Sequence, residues 1–98
     1  SPDDVDDLMQ VIYPEPGTLV LLARELDGRR GKVVAEVAHR EAGAVIPWHV
    51  DGTYRTTTRA GHRTALDLDP GPHRLTLSDT EGRSITVRFR VAFPGPDR

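Results

Sequence analysis

The stretch Ser84-Ile85-Thr86-Val87-Arg88-Phe89-Arg90-Val91-Ala92-Phe93 decides the fold. Ile85, Val87, Phe89, Val91 and Phe93 occupy consecutive odd positions, with Thr86, Arg88, Arg90 and Ala92 between them. Side chains on a β-strand alternate between its two faces, so this order puts an apolar row on one side and a largely basic, hydroxyl-bearing row on the other. A helix, with its period of about 3.6, scatters the same residues around its axis. The segment therefore predicts a strand that lays one face on a core.

Upstream the same period recurs. Leu75 and Leu77 alternate with Arg74, Thr76 and Ser78, and Asp79-Thr80-Glu81-Gly82 supplies a turn, so residues 73–93 read as a hairpin. Leu66 and Leu68 alternate with Asp67 and Asp69 in a short strand, which Pro70-Gly71-Pro72 is expected to end by leaving the sheet. Ile46, Trp48 and Val50 share a face opposite His49, and Asp51-Gly52 is a type I′ turn signal before the β-branched run Thr53–Thr58. Val33, Ala35 and Val37 alternate with Val34, Glu36 and Ala38. Shorter candidates, Gln10–Tyr13 and Leu19–Ala23, flank Pro14-Glu15-Pro16-Gly17. Turn signals cut the chain roughly every 8 to 14 residues. The pattern predicts an all-β domain, an immunoglobulin-like β-sandwich of about seven short antiparallel strands, with a small barrel as the architectural alternative. The sandwich should span residues 9–93, with a Pro- and Asp-rich linker over 1–8 and a short tail over 94–98.

Composition sets bounds on what such a domain does. Ninety-eight residues, 37% of them hydrophobic, make one small domain and exclude an elaborate multi-domain enzyme. The absence of cysteine removes disulfides, zinc thiolates and thiol nucleophiles together. No apolar run approaches the roughly 18 residues of a membrane helix. The chain opens at Ser1 without an initiator Met, as expected of a portion of a longer protein. Its formal charge of −2 is uneven. Asp3, Asp4, Asp6 and Asp7 cluster at the start, leaving 13 basic against 11 acidic groups over residues 8–98.

Few residues suggest chemistry. His39, His49, His62 and His73 fall in different segments and lack the close spacing of metal ligands, so no metal site is expected. Ser78-Asp79 reads as a turn, because nothing supplies the base and oxyanion hole that a nucleophilic serine needs. Asp67 and Asp69, about 7 Å apart by strand rise, belong to a solvated face. No glycine-rich phosphate loop precedes a helix, and no cofactor is expected. Arginines are many, but exposed aromatics are not interleaved with them, which argues against a nucleic-acid platform. Trp48 is expected in the core. No catalytic residue is expected, and Tyr54, His49, Arg88 and Arg90 are the candidates for a partner-binding surface, should the domain act by binding.

Taken in order, several pieces look familiar. They are Ile12-Tyr13-Pro14 with Pro16-Gly17, Arg24-Glu25-Leu26-Asp27-Gly28, Val37-Ala38-His39-Arg40 and Trp48-His49-Val50-Asp51-Gly52-Thr53-Tyr54. Thr57-Thr58, Pro70-Gly71-Pro72-His73-Arg74-Leu75-Thr76-Leu77-Ser78-Asp79, Gly82 and Val87-Arg88-Phe89 follow. Over roughly residues 9 to 92 the set resembles the C-terminal domain of bifunctional class A penicillin-binding proteins of the 1C type. The resemblance implies a periplasmic or otherwise extracytoplasmic module of an inner-membrane-anchored protein, carried behind the glycosyltransferase and transpeptidase that build peptidoglycan. It implies no catalysis in this domain: the S-x-x-K, S-x-N and K-T-G elements of such transpeptidases are absent, since Ser78 is followed three places on by Glu81 and Ser84 by Val87. The matching glycines and apolar positions are turn and core fixtures. The expected partner is a protein of cell-wall synthesis or, alternatively, peptidoglycan glycan bound by a carbohydrate-binding sandwich. An independent small hydrolase is a third class, which the missing nucleophile and base disfavour.

Overall fold

The computed structural model describes residues 9–23 and 31–94. The expected linker over 1–8, the matched segment Arg24-Glu25-Leu26-Asp27-Gly28 and residues 95–98 lie outside the described residues. Among the described residues eight strands run in chain order: β1 (Met9–Tyr13), β2 (Leu19–Leu21), β3 (Val33–His39), β4 (Ile46–Val50), β5 (Thr53–Thr58), β6 (Arg63–Leu66), β7 (Gly71–Ser78) and β8 (Ser84–Ala92). They form two sheets, one ordered β1-β3-β6 and the other β2-β8-β7-β4-β5.

The alternation read from β8 is what joins the sheets. Val87, Phe89 and Val91 are buried while Arg88 and Arg90 are exposed. Trp48, Ile46 and Val50 of β4, Leu75 and Leu77 of β7, and Val33, Ala35 and Val37 of β3 meet them in one core, completed by Met9, Val20, Leu66 and Leu68. Each fully buried side chain of the Leu, Ile or Val class contributes about 1.5–3 kcal/mol relative to exposure. Trp48 is wholly buried, yet its indole N–H is not orphaned: Nε1 donates to Thr58 Oγ1 at 2.8 Å. Thr58 Oγ1 lies 2.7 Å from His62 Nδ1, so one hydroxyl of β5 links the core indole to the loop before β6.

Two details differ from the sequence expectation. The described residues form eight strands, in line with the seven or so expected, but one pairing, β2 with β8, is parallel. It follows from the Pro14–Gly17 segment. β1 pairs with β3 in the three-stranded sheet, the prolines interrupt it, and the chain crosses to the other sheet while still running in the same direction. The Tyr13–Pro14 peptide is cis, and Gly17 has a φ of 75°. The second difference is that Pro70-Gly71-Pro72 does not end the sheet. β7 begins at Gly71, and Pro72 pairs with Arg90. Proline is tolerated there because successive residues of a strand direct their N–H groups to opposite neighbours, so that alternate residues share a side. Arg74 directs its main-chain groups toward Asp51, so Pro72, two residues earlier, has its missing N–H on the same side, beyond the end of β4.

The turns match their sequences. Asp51 and Gly52, with φ of 53° and 84°, form the left-handed pair that a type I′ turn requires.

Candidate binding face

Cross-strand register places the predicted surface residues together. His49 pairs with Tyr54 on one side and Thr76 on the other, and Thr76 pairs with Thr86. One row across the outer face of the five-stranded sheet therefore reads Tyr54, His49, Thr76, Thr86. In the next row Arg74 pairs with Arg88, and beyond it Pro72 pairs with Arg90, which in turn pairs with Leu19. All four residues singled out in the sequence, Tyr54, His49, Arg88 and Arg90, stand on this one face. Arg74 belongs beside them and was not singled out. Its signal was available, because it opposes Arg88 once the Asp79–Gly82 turn sets the hairpin register.

The two ends of the face differ in chemistry. At the β5 edge the Tyr54 and His49 rings meet edge to face, with centroids 5.7 Å apart, and Tyr54 Oη lies 2.8 Å from Thr57 Oγ1. This fixes the Tyr54 ring while leaving it 56% exposed. At the β8 end a groove of about 470 Å³ is lined by Thr18, Asp51, Pro72, Arg74, Arg88 and Arg90, among other residues. Asp51 closes one end of it. Its Oδ1 accepts the Arg74 N–H at 2.8 Å and its Oδ2 lies 2.7 Å from His73 Nδ1, while His73 Nε2–H donates to the Asp69 carbonyl at 2.7 Å. Partial desolvation pushes the Asp51 carboxyl upward, but the His73 and Arg74 hydrogen bonds and their nearby charges outweigh it and hold the pKa below the usual value.

A second histidine–aspartate pair lies between the sheets. Asp79, in the β7–β8 turn, accepts at Oδ1 from the Glu81 and Arg83 N–H groups, and at Oδ2 from Arg83 Nη1 and from His39 Nε2 at 3.0 Å. The Glu41 N–H donates to His39 Nδ1, which assigns the His39 proton to Nε2. The His39 and Asp79 side chains are 1% and 2% exposed. Burial raises the Asp79 pKa, and the His39 and Arg83 bonds more than reverse that, lowering it to about 2. Ser78-Asp79 read as a turn and is one. The partnership with His39, 40 residues away, has no local sequence signal.

Neither His39 nor His73 has a serine among its hydrogen-bond partners. His62, partly buried and near His39, is held below the ordinary histidine value, chiefly by burial and secondarily by its electrostatic interaction with the His39 ring. No three His, Asp or Glu side chains converge as metal ligands among the described residues.

The two-sheet order, the crossing first strand and the parallel β2–β8 pairing define an immunoglobulin-like, fibronectin III-type module. The fold is similar to the fibronectin(III)-like modules of Clostridium thermocellum CbhA, with a TM-score of 0.64 over 89% of this chain and 99% of that one, at 14% sequence identity. The penicillin-binding protein C-terminus family matches residues 2–89, and the chain belongs to that family. No curated protein matches the chain at a significant level.

Proposed function

We propose that this domain is the non-catalytic C-terminal accessory module of a bifunctional peptidoglycan glycosyltransferase/transpeptidase of the 1C type, and that it acts by binding a protein partner in cell-wall synthesis. Family membership supports the parent enzyme, and with it an extracytoplasmic position on a membrane-anchored protein. The observation that carries the binding role is the gathering of Tyr54, His49, Arg88 and Arg90 on one sheet face whose opposite side is the core. Such a face is rigid, so a partner docks on it without the ordering cost of a mobile loop.

The test is charge reversal at Arg88 and Arg90 in the complete parent protein. Binding of the module to its synthase or to regulators of the synthase should fall steeply in R88E/R90E, whereas unchanged binding rejects this surface. A second reading, recognition of cell-wall glycan, is favoured by the exposed Tyr54 ring braced against His49, since a fixed aromatic face stacks on a sugar. Retention of the purified domain on isolated sacculi, with loss in Tyr54→Ala, selects the glycan reading. Its absence leaves the protein partner.

A further inference from the structure

The arginine end of this face is an arrangement that local stability does not explain. Arg74 and Arg88 oppose each other directly. Arg74 directs its N–H and C=O toward Asp51, and the Arg88 carbonyl accepts from Gly17 on the far side. Toward each other the two residues are therefore a non-hydrogen-bonded pair, the kind whose Cα atoms approach to about 4.5 Å and whose side chains are closest. Like charges directly opposite are destabilising. Arg90 adds a third guanidinium on the same face, about 7 Å along the strand from Arg88. Among the described residues Asp51 is the one carboxylate lining the groove, and its two oxygens are engaged by His73 and the Arg74 N–H. No described carboxylate makes an ion pair with any of the three guanidinium groups.

We propose that this groove binds an extended peptide segment of a partner protein that carries carboxylates at alternate positions. The inference rests on the reading above that this face docks a protein, and it adds what the protein must present. Arg88 and Arg90 repeat every second residue of a strand. An extended peptide repeats its same-side side chains at the same interval of about 7 Å, so acids at i and i+2 meet both guanidinium groups in register. The planar forks of arginine suit bidentate carboxylates. Pro72 on the groove wall and Leu19, paired with Arg90 and 55% exposed, offer apolar contact to same-side residues of the peptide that flank the acidic pair. A flat anionic lipid surface would satisfy the charge, but neither the concavity nor the two-residue repeat.

The experiment titrates the isotope-labelled full 98-residue chain with a blocked peptide of sequence Gly-Glu-Thr-Glu-Thr-Gly. Chemical-shift changes should centre on Thr18, Arg74, Arg88 and Arg90. The peptide with Gln in place of both Glu, and the R88Q/R90Q variant with the original peptide, should each bind at least tenfold more weakly. Raising salt from about 50 to 300 mM should weaken binding several-fold, as expected of partly exposed charges. The proposal is overturned if the Gln peptide binds equally, if R88Q/R90Q binds like the unaltered chain, or if phosphatidylglycerol vesicles bind more tightly than the peptide with the same arginine dependence. Should the parent protein still require Arg88 and Arg90 for partner binding while the peptide ignores its glutamates, only the acidic-segment inference falls. If partner binding ignores both arginines, the docking reading falls as well.

Discussion

His39 Nε2 donates to Asp79 Oδ2 across 3.0 Å, joining the end of β3 in the three-stranded sheet to the β7–β8 turn of the five-stranded one. With Arg83 Nη1 and two main-chain N–H groups on the same carboxylate, Asp79 ties the turn to itself and the two sheets to each other.

Acid should expose the role of Asp79. Its carboxyl titrates at about 2 in the folded chain, below the ordinary value of 3.8, so its charged form is the one the fold favours. The stabilisation is complete above the unfolded value and declines as pH falls from about 4 through about 2. In urea unfolding, the difference in midpoint between the unaltered chain and Asp79→Asn should therefore shrink across that window. A difference constant with pH would show that the charge contributes nothing. Asp79→Ala, which strips all four donors of their acceptor, should cost about 2–3 kcal/mol at pH 7.

The Arg74–Arg88 pair should trade stability against binding. Arg88→Gln removes a like charge from the position opposite Arg74 and should raise stability by a few tenths of a kcal/mol. In an Arg74/Arg88 double-mutant cycle the coupling should be unfavourable at low salt and shrink as salt rises. A favourable coupling would mean that the two side chains stack rather than repel.

Thr58 should matter more than its place on a surface strand suggests. Its hydroxyl accepts from Trp48 Nε1 and lies 2.7 Å from His62 Nδ1. Thr58→Val, nearly the same shape, leaves the indole N–H without its partner and should cost about 1–3 kcal/mol, with Thr58→Ser largely restoring stability. The His62 pKa is lowered in the fold, so protonation is resisted there and accepted by the unfolded chain. Stability should consequently fall as pH drops below about 6.5, and His62→Gln should remove that part of the slope. Thermal melts at pH 7.5 and 5.5 decide it.

The Asp51-Gly52 turn carries two separable contributions. Gly52, at φ 84°, has only the end of the Arg74 side chain within 4 Å of where a Cβ would stand, at 3.8 Å. Gly52→Ala is thus penalised by backbone conformation rather than by crowding, at about 1 kcal/mol. Asp51→Asn keeps a residue that tolerates positive φ and retains an acceptor for the Arg74 N–H, whereas Asp51→Ala keeps neither. Thermal denaturation should rank Asp51→Ala well below Asp51→Asn, and equal melting points would reject the hydrogen-bond role.

Alternation by itself determined an all-β fold, and the division into two packed sheets is what makes it a sandwich and not a barrel. The odd-numbered row from Ile85 to Phe93, the Trp48 strand and the Asp51-Gly52 turn are local patterns, because strand period and turn type depend on neighbouring residues only. Family resemblance, too, was legible in the ordered pieces around Trp48–Tyr54 and Pro70–Asp79. The crossing of the first strand was half legible: Pro14 and Pro16 show where β1 stops, but that β2 then runs parallel to β8 depends on which sheet offers a free edge. Which distant residues meet is set by packing and register alone. His39 and Asp79 are separated by 40 positions, and His73 and Asp51 by 22. Arg88, Arg74 and Asp51 share a groove because register between three strands puts them there. Periodicity tells which face a side chain takes, whereas contact across strands and sheets depends on register and packing, which no single segment encodes.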